Sequence, residues 1–323
     1  MRSSCRIGDA GTYDAGVPPR CPLPSRHGLD AAWLRTPDRD RTAPAPWPTM
    51  GDWLRERLPG RLDIEGMLAD RRFVYDSGRP VGDDDPYLPH TFVWFHRDLR
   101  DEVPVPGALP ILYHDDRIVV VDKPPFLATI PRGRHIRESV VVKLRAQLGL
   151  PELTPAHRLD RITSGILVLV AERRWRGAYQ TLFQQRRVEK VYRALAPVDE
   201  SLVTPRTVHN HIQKTRGDWR AYVVDGAPVN AETELMLESR VDGHGVYRLL
   251  PRTGRTHQLR LHLAGLGLPI VDDPLYPSIT RTDPDDFSRP LQLLASELSF
   301  DDPVDGSPRH YASARRLPLR SEQ

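Results

Sequence analysis

The residues best suited to chemistry surround one carboxylate, Asp160, in a polar segment that begins at His157. Arg158 and Arg161 flank it, and the apolar run 166–170 that follows predicts a buried strand. A guanidinium keeps a neighbouring carboxylate ionised, and an oriented, ionised carboxylate can act as a nucleophile or a base at neutral pH. Charges at the mouth of a buried strand are costly to hold. The segment is therefore either a satisfied structural network or a site, and its residue types alone leave both open.

Several other reaction classes lack the residues that they need. A serine hydrolase requires Gly-x-Ser-x-Gly, and the segment 163–165 lacks the first glycine. The histidines and the two cysteines, Cys5 and Cys21, show no metal-ligand spacing, and no glycine-rich phosphate loop is present. We therefore predict no metal and no cofactor. A glycosidase would need a second carboxylic acid as proton donor, and none stands out, which counts against simple hydrolysis of a glycosidic bond. A reaction in which the released base stays in the site and reattaches is still permitted.

Composition predicts a polar globular protein with a mild preference for polyanions. The chain has 323 residues, 39% hydrophobic and 28% charged, and a net charge of +3. Only four of its 46 basic residues are lysines, and arginine forks suit phosphate recognition. No signal peptide or membrane-length apolar run is present, and the cysteines form no disulfide framework. We expect a cytoplasmic protein that contacts no membrane.

Four segments follow from the distribution of residue types. Residues 1–49 are rich in Pro, Gly, Arg and Asp without periodicity, which predicts a disordered head. Residues 50–108 predict a small accessory unit of two short helices and two strands. This unit resembles the S4-type RNA-binding module, and a docking or capping extension is the alternative. Residues 109–302 hold the candidate site, and 303–323 form a basic tail that we expect to fray.

Within 109–302, hydrophobic patterns alternate between those of strands and those of helices. Strands are predicted at 118–122, 166–170, 188–198, 231–237, 246–250 and 293–300. Helices are predicted at 140–148, with Ser139 as N-cap and Gly149 as stop signal, at 174–187, and from Thr256 to 265 or 267. Many strands with few helices predict an α+β fold, with a mixed, mainly antiparallel sheet and flanking helices.

The polar run from His157 to Gly165 resembles the signature of RluA-type RNA pseudouridine synthases. Three further stretches resemble motifs of this family in the same order: Val119–Pro124, Glu189–Ala194 and Thr253–His262. One motif alone would be weak support, whereas several in order are specific. The resemblance spans roughly 109–301 and includes two departures, because Phe126 replaces a usual glycine and Leu294 a usual histidine.

The resemblance implies roles for three catalytic groups. Asp160 is expected to be the catalytic aspartate, and Tyr192 to stack on the target base. Arg260 is expected to pair with Asp160 and orient it, within salt-bridge distance at the floor of a basic cleft. His157 receives no catalytic role, and we expect it to hold the loop by a hydrogen bond.

The resemblance also implies a set of substrate-binding residues. Arg158 is expected to enter the RNA helix in place of the flipped uridine, and Leu261 to form a wall of the base pocket. Lys123 is expected to support the pocket or to contact phosphate. Arg255 and His257, from the third motif, are expected to bind substrate.

The activity implied is conversion of specific uridines to pseudouridine, on the pseudouridine synthase catalytic fold and without a cofactor. Because stacking hides C1′ and C5 of a uridine, the nucleotide must be flipped out of its helix. The implied partner is ribosomal RNA first and transfer RNA second, and we expect a monomer. The alternative is an RNA-binding or ribosome-assembly factor in which the catalytic pocket is not essential.

Overall fold

The computed structural model describes residues 18–37, 45–60, 62–280 and 283–320. The chain divides into two compact units, unit 1 over Met1–Asp101 and unit 2 over Glu102–Gln323. In the described residues of both units, no helix has the length and the apolarity that crossing a bilayer requires.

Unit 1 contains two short helices and a three-stranded sheet. Its elements are β1 (Ala32–Arg35), α1 (Met50–Arg57), α2 (Ile64–Ala69), β2 (Val74–Tyr75) and β3 (Phe92–Phe95). β3 lies between β1 and β2 and pairs with both in antiparallel fashion. Thr49 caps α1 and Asp63 caps α2, since each side chain accepts a backbone N–H of the first turn. The two predicted helices and two predicted strands are present.

The predicted disordered head is wrong for its described part, which contributes β1 to unit 1. Trp33 and Leu34 of β1 are buried, and the strand pairs along its whole length with β3. A four-residue strand in Pro-rich surroundings carries too little periodicity to be recognised, because its order comes from the partner strand. The rest of the predicted head, residues 1–17 and 38–44, lies outside the described residues. The S4-like character of the unit stays a prediction.

Unit 2 is built on one ten-stranded sheet with three α-helices among its described residues. Its strands are β4 (Ile111–His114), β5 (Ile118–Lys123), β6 (Thr154–Pro155), β7 (Ser164–Val170), β8 (Glu189–Ala196), β9 (Arg206–Asn210), β12 (Ala231–Val241), β13 (His244–Pro251), β14 (Leu293–Asp301) and β15 (Pro308–Ala312). Between β9 and β12, β10 (Ile212–Gln213) and β11 (Tyr222–Val223) form a separate hairpin. The helices are α3 (Val140–Leu148), α4 (Arg176–Gln184) and α5 (Gln258–Gly265).

The strand order of the large sheet is β4-β5-β7-β14-β8-β13-β12-β9, with β6 added to β7 and β15 added to β14. Every pair is antiparallel except β7 with β14. The predicted α+β class with a mixed, mainly antiparallel sheet is therefore confirmed.

The centre of this sheet is covered on both faces, which explains why residues 118–121 of β5 and 166–170 of β7 form continuous apolar runs. Val119 and Val121 of β5 and Leu167 and Leu169 of β7 share a cluster with α3. The alternate residues of the same strands pack against α4. α3 begins and ends as predicted, with Gly149 in a left-handed conformation, although the Ser139 hydroxyl donates to Ile136 O and does not cap the helix. The two layers hold β7 in place, and the Asp160 loop leads directly into that strand.

The predicted fraying tail is wrong for the described residues 303–320. β15 pairs with β14, and the buried Asp122 carboxylate accepts hydrogen bonds from Ser313 Oγ and Ala314 N at 2.8–3.0 Å. Arg309 pairs with the buried Asp302 at 3.3 Å, and Arg315 with Asp122 at 3.4 Å. Basic residues suggested a solvated tail, but buried carboxylates elsewhere in unit 2 compensate their charges.

Candidate active site

Asp160 lies in the loop that leads into β7, and the loop is held at several points. Thr163 N donates to Asp160 O at 3.1 Å, which closes a tight turn. The Thr129 hydroxyl donates to Leu159 O at 2.7 Å and accepts from Leu159 N at 3.2 Å. His157 Nε2 accepts the Val168 N–H at 3.2 Å, which confirms the hydrogen bond expected of that residue. The loop is therefore a rigid support for its carboxylate.

His157 can accept this bond because its ring is neutral. Burial lowers its pKa to about 3, and the ring stacks on Phe183 with centroids 4.4 Å apart. The ring therefore stays neutral at physiological pH and has a structural role.

The first residues of β7 require a close approach to β14. Gly165 has a φ of +109°, and a Cβ at this position would lie 2.2 Å from Ala295 O. Only glycine fits both the backbone conformation and the available space. The loop that ends at Gly165 therefore packs directly against β14, in the middle of the sheet.

The prediction that Lys123 binds substrate is wrong, and its alternative, support of the pocket, describes what the structure shows. Its ammonium group is fully buried and donates to Pro124 O, Leu127 O and Arg161 O at 2.8–2.9 Å. Loss of hydration lowers the pKa of Lys123 well below its usual value. All three donors are used, so Lys123 ties the Asp160 loop to residues 124–127 and has no proton donor left for a phosphate.

We expect Lys123→Met to lower catalysis without weakening phosphate contact. Three buried carbonyl groups would lose their donor, at a cost of about 1–3 kcal/mol each if water does not replace it. A lower melting temperature and a lower activity should follow, while the salt dependence of polyanion affinity keeps its slope, since no phosphate contact is lost. Fluorescence titration at several salt concentrations checks this, and a shallower slope in the variant would contradict the structural role.

Asp160 itself is open to the cleft and lies between two nitrogen groups. Its Oδ2 atom is 3.8 Å from Arg260 Nη1 and 3.9 Å from His257 Nε2, and its side chain is 37% exposed. The predicted proximity of Arg260 and Asp160 is thus present. Both separations exceed hydrogen-bond distance, so the carboxylate keeps its acceptor sites available for a substrate.

Asp273 is the principal partner of Arg260, which corrects the expectation that Asp160 holds this place. Arg260 Nε donates to Asp273 Oδ2 at 2.7 Å, and Nη2 donates to Asp273 Oδ1 at 2.6 Å, with both side chains almost completely buried. Two parallel bonds fix a guanidinium plane in direction as well as position. Arg260 is therefore locked by one carboxylate and presents its remaining nitrogen to the other.

His257 contributes less charge to the site than Arg260. The Tyr276 hydroxyl donates its single proton to Ala221 O at 2.8 Å, so His257 Nδ1, 2.9 Å away, must donate to that hydroxyl. Its Nε2 atom, which faces Asp160, then carries a proton only in the cationic ring. Burial lowers the pKa of His257, against the opposing effect of Asp160. Arg260 is accordingly the permanent cation beside the carboxylate.

Tyr192 lies on β8 and forms part of the cleft wall together with Leu159 and Leu293. Burial, with a smaller effect of the Asp160 charge, raises the pKa of the Tyr192 phenol, so the ring stays neutral. A neutral ring beside the Asp160 carboxylate suits contact with an uncharged, planar group.

The expected position of Leu261 in the base pocket is wrong. Leu261 packs in a cluster with Ile212, Ala221 and Tyr276, and it is not among the described residues that line the cleft. Successive residues of a helix point about 100° apart, so Leu259 and Leu261 cannot face the same space. In the described part of the chain, the leucines that line the cleft are Leu159, Leu259 and Leu293.

These side chains line one open cleft with a volume of about 1000 Å³. Of the predicted site residues, it brings together Asp160, Arg260, Tyr192, Arg158, Arg255 and His257. Arg158 is exposed, and Arg255 Nε donates to Asn230 O at 3.2 Å. Further basic side chains lie along its walls: Arg132, Arg134, Arg161, Lys190, Lys214 and Arg216. Such a cleft attracts a polyanion and presents the Asp160 carboxylate to it.

Two groups of residues were missed as parts of the site. Asp273 and Tyr276 match the pattern expected after the third motif, but nothing in their spacing shows that they hold Arg260 and His257. The β10–β11 hairpin was also missed, although Trp219 stands in a polar, aperiodic stretch where no core pattern explains an aromatic side chain. Within the described ranges, no group of three or more His, Cys, Asp or Glu side chains is arranged to hold a metal ion.

Comparison with known proteins agrees with this geometry. Residues 117–265 match the model of a family described as RNA pseudouridylate synthase. The chain is 34% identical over 207 residues to the dual-specificity RNA pseudouridine synthase RluA of Vibrio parahaemolyticus, which covers 59% of this chain and 76% of that protein. It is 33% identical over 199 residues to the ribosomal large subunit pseudouridine synthase D of Xylella fastidiosa, covering 59% and 60%.

A solved structure shares the fold of unit 2. Human RNA pseudouridylate synthase domain containing 1 superposes with a TM-score of 0.52 at 26% identity, over 65% of this chain and 86% of that one. The site and the relatives together favour an enzyme over the alternative of a binding factor. The sequence motifs, the sheet and the carboxylate cleft therefore lead to one conclusion: the chain belongs to the RluA-type family of RNA pseudouridine synthases, isomerases that modify RNA.

Proposed function

We propose that this enzyme isomerises a specific uridine in ribosomal or transfer RNA, with Asp160 as the catalytic group. The observation that carries the proposal is the Asp160 carboxylate, which is 37% exposed, lines a basic cleft and lies 3.8 Å from Arg260 Nη1. The relatives support the RNA class, since one is named for the large ribosomal subunit and one for dual specificity. We further expect a monomer, because the lining of the cleft comes from a single chain. A cytoplasmic location is also expected, as the sequence predicts.

Substrate entry begins with the backbone of the RNA. Phosphates are attracted to the arginines and lysines of the cleft walls, and the target uridine rotates out of its stack into the cleft. Arg158 is exposed on the same loop as Asp160, two residues before it, so its guanidinium can occupy the space that the uridine leaves. Tyr192 provides an aromatic surface for the extruded base, and such stacking offsets part of the unstacking cost at about 1–3 kcal/mol.

The reaction then exchanges one bond to the sugar for another. The C1′–N1 bond breaks, uracil turns within the cleft, and a C1′–C5 bond forms. The proton on C5 is released, and N1 gains a proton, so atoms and electrons balance without an added reactant. Arg260 places its positive charge beside the Asp160 carboxylate, and the loop held by Thr163 and Thr129 fixes the direction of its attack or proton removal.

Pseudouridine mapping tests this proposal. RNA from a strain that lacks the gene is incubated with the purified enzyme, labelled with a carbodiimide and read by primer extension. We expect a new stop in ribosomal or transfer RNA that is absent when the enzyme is omitted. A new stop only in other RNA classes, or no stop in total RNA, would contradict the proposal.

A further inference from the structure

The β10–β11 hairpin places a tryptophan at the cleft with no protein core to receive it. Trp219 is 80% exposed and lines the same cleft as Asp160. A single exposed apolar side chain needs no explanation. Here, however, Tyr222 and Val223 on the same hairpin are also well exposed, at 42% and 38%. The hairpin therefore presents an apolar surface to solvent, and Trp219 is the part of it that lines the cleft of Asp160.

The root of the hairpin is held in place next to this tryptophan. The Tyr276 hydroxyl donates to Ala221 O at 2.8 Å and accepts from Ala221 N at 2.9 Å. The Arg220 guanidinium lies 4.7 Å above the Tyr276 ring and donates to Pro277 O at 3.0 Å. On the other strand, Ile212 N donates to the Asn230 side chain at 2.9 Å. Trp219 is thus displayed from an anchored support.

The same anchor connects the hairpin to the catalytic centre. Tyr276 accepts the hydrogen bond of His257, whose other ring nitrogen is 3.9 Å from Asp160. The Tyr276 ring also lies 5.2 Å from the Arg260 guanidinium. The position of the exposed aromatic side chain is therefore defined relative to the carboxylate through a single tyrosine.

Charge and space around Trp219 fit a nucleotide. Lys214 and Arg216 line the cleft on the same hairpin, beside one carboxylate, Asp218, and Arg255 of the third motif lines it as well. An aromatic side chain among cations is the arrangement by which proteins bind single-stranded nucleic acid. The cleft volume of about 1000 Å³ is at the upper end of sites for one drug-sized ligand, which leaves room beyond a single flipped base.

We propose that Trp219 is a second base-binding site, which stacks on an unpaired nucleobase next to the uridine that enters the catalytic pocket. The inference rests on the proposed function and deepens it, because it restricts the substrate to uridines with an unpaired neighbour. A base in a continuous duplex is already stacked on both faces and cannot use this platform. The enzyme therefore selects loops, bulges or single strands.

Binding of a fluorescein-labelled oligouridylate of eight nucleotides, compared with a duplex RNA of twelve base pairs, tests the inference. Trp219→Leu keeps apolar area and removes the stacking ring, whereas Trp219→Tyr keeps a ring. We expect the Leu variant to bind oligouridylate about tenfold more weakly than wild type, and the Tyr variant to stay within about twofold. Duplex binding should be unchanged in both, and Val229→Ala, an exposed apolar control, should match wild type.

Equal oligouridylate affinity of wild type and Trp219→Leu would overturn the inference, as would an equal loss for oligouridylate and duplex. If the Leu variant does not fold, intrinsic fluorescence provides a second measurement. Oligouridylate should quench wild-type emission and leave Trp219→Tyr emission unchanged, and quenching of both alike would also overturn it. The two proposals fail separately. If wild type forms pseudouridine but Trp219→Leu binds oligouridylate equally well, only this inference is removed. If Trp219→Leu binds more weakly but wild type forms no pseudouridine, only the proposed function is removed.

Discussion

Asp160→Asn will reduce pseudouridine formation by about a thousandfold or more and will leave the fold intact. The amide has the shape of the carboxylate but cannot act as a nucleophile or a base. Stability should change by less than about 1 kcal/mol, because the side chain is 37% exposed and the nearest nitrogen atoms, of Arg260 and His257, lie beyond hydrogen-bond distance. Arg260 keeps its bidentate partner in the variant. Release of tritium from C5 of uridine-labelled RNA measures the rate, and thermal melting measures the fold.

Asp218→Asn is the matched control for this change. Asp218 also lines the cleft, on the β10–β11 hairpin, and it has no assigned part in the reaction. We expect this variant to keep most of the tritium release. A melting temperature of Asp160→Asn well below that of wild type would instead show that Asp160 is mainly part of a structural ion pair. Substantial activity of the same variant would remove Asp160 from the mechanism altogether.

Asp273→Asn should cause the largest loss of stability, about 3–5 kcal/mol, because it leaves the buried Arg260 charge without compensation. Asp273 Oδ1 also accepts from Leu275 N at 2.8 Å and Tyr276 N at 3.1 Å, and these bonds weaken with an amide. For a domain of this size, the melting temperature should fall by about 10 °C or more. Activity should fall as well, since Arg260 would no longer be held toward Asp160. Differential scanning calorimetry checks the stability.

The neighbouring Asp272→Asn is a control that changes the same chemistry at a wetter ion pair. Asp272 pairs with Arg289 at 2.6 Å, but the Arg289 side chain is 78% exposed. Solvent screening limits such a pair to about 1 kcal/mol or less, and asparagine tolerates the positive φ of this position. Equal melting temperatures for the Asp272 and Asp273 variants would show that burial of Arg260 does not govern the loss.

The central elements of unit 2 could be predicted from sequence because local pattern and tertiary environment agree there. β5, β7 and α3 carry long apolar signals, and both faces of the strands are covered. β1 and β15 were not predicted, because four or five residues between prolines and charges show no period. Their order is imposed by β3 and β14, which contribute the paired edge. Whether such a strand forms depends on the neighbouring strand as much as on its own residues.

The candidate site was predictable in its residue types but not in their partners. Motif order identified Asp160, Tyr192 and Arg260, whereas burial of Lys123 and the direction of Leu261 depend on three-dimensional packing. Lys123 and Leu261 were misplaced for the same reason: a motif gives residue types but not the contacts that each side chain makes in the fold.

Phe126 shows a related limit. It replaces the glycine usual in this family, yet its φ of +66° keeps a conformation that favours glycine. Packing of its ring on Phe287, with centroids 5.4 Å apart, and the Arg161 guanidinium 5.8 Å from its centroid help to hold it there. A residue other than glycine can therefore keep this backbone conformation when its side chain gains packing contacts, as Phe126 does.

The place of β14 in the sheet has a consequence for biosynthesis. This strand is formed by residues 293–301, near the end of the unit, but it lies between β7 and β8, which are translated more than a hundred residues earlier. A nascent chain that has not yet exposed β14 presents two unpaired strand edges, and such edges invite aggregation. The Asp160 loop likewise lacks its seat at Ala295 until then. Newly made enzyme should therefore depend on chaperone protection and should acquire activity only late in translation.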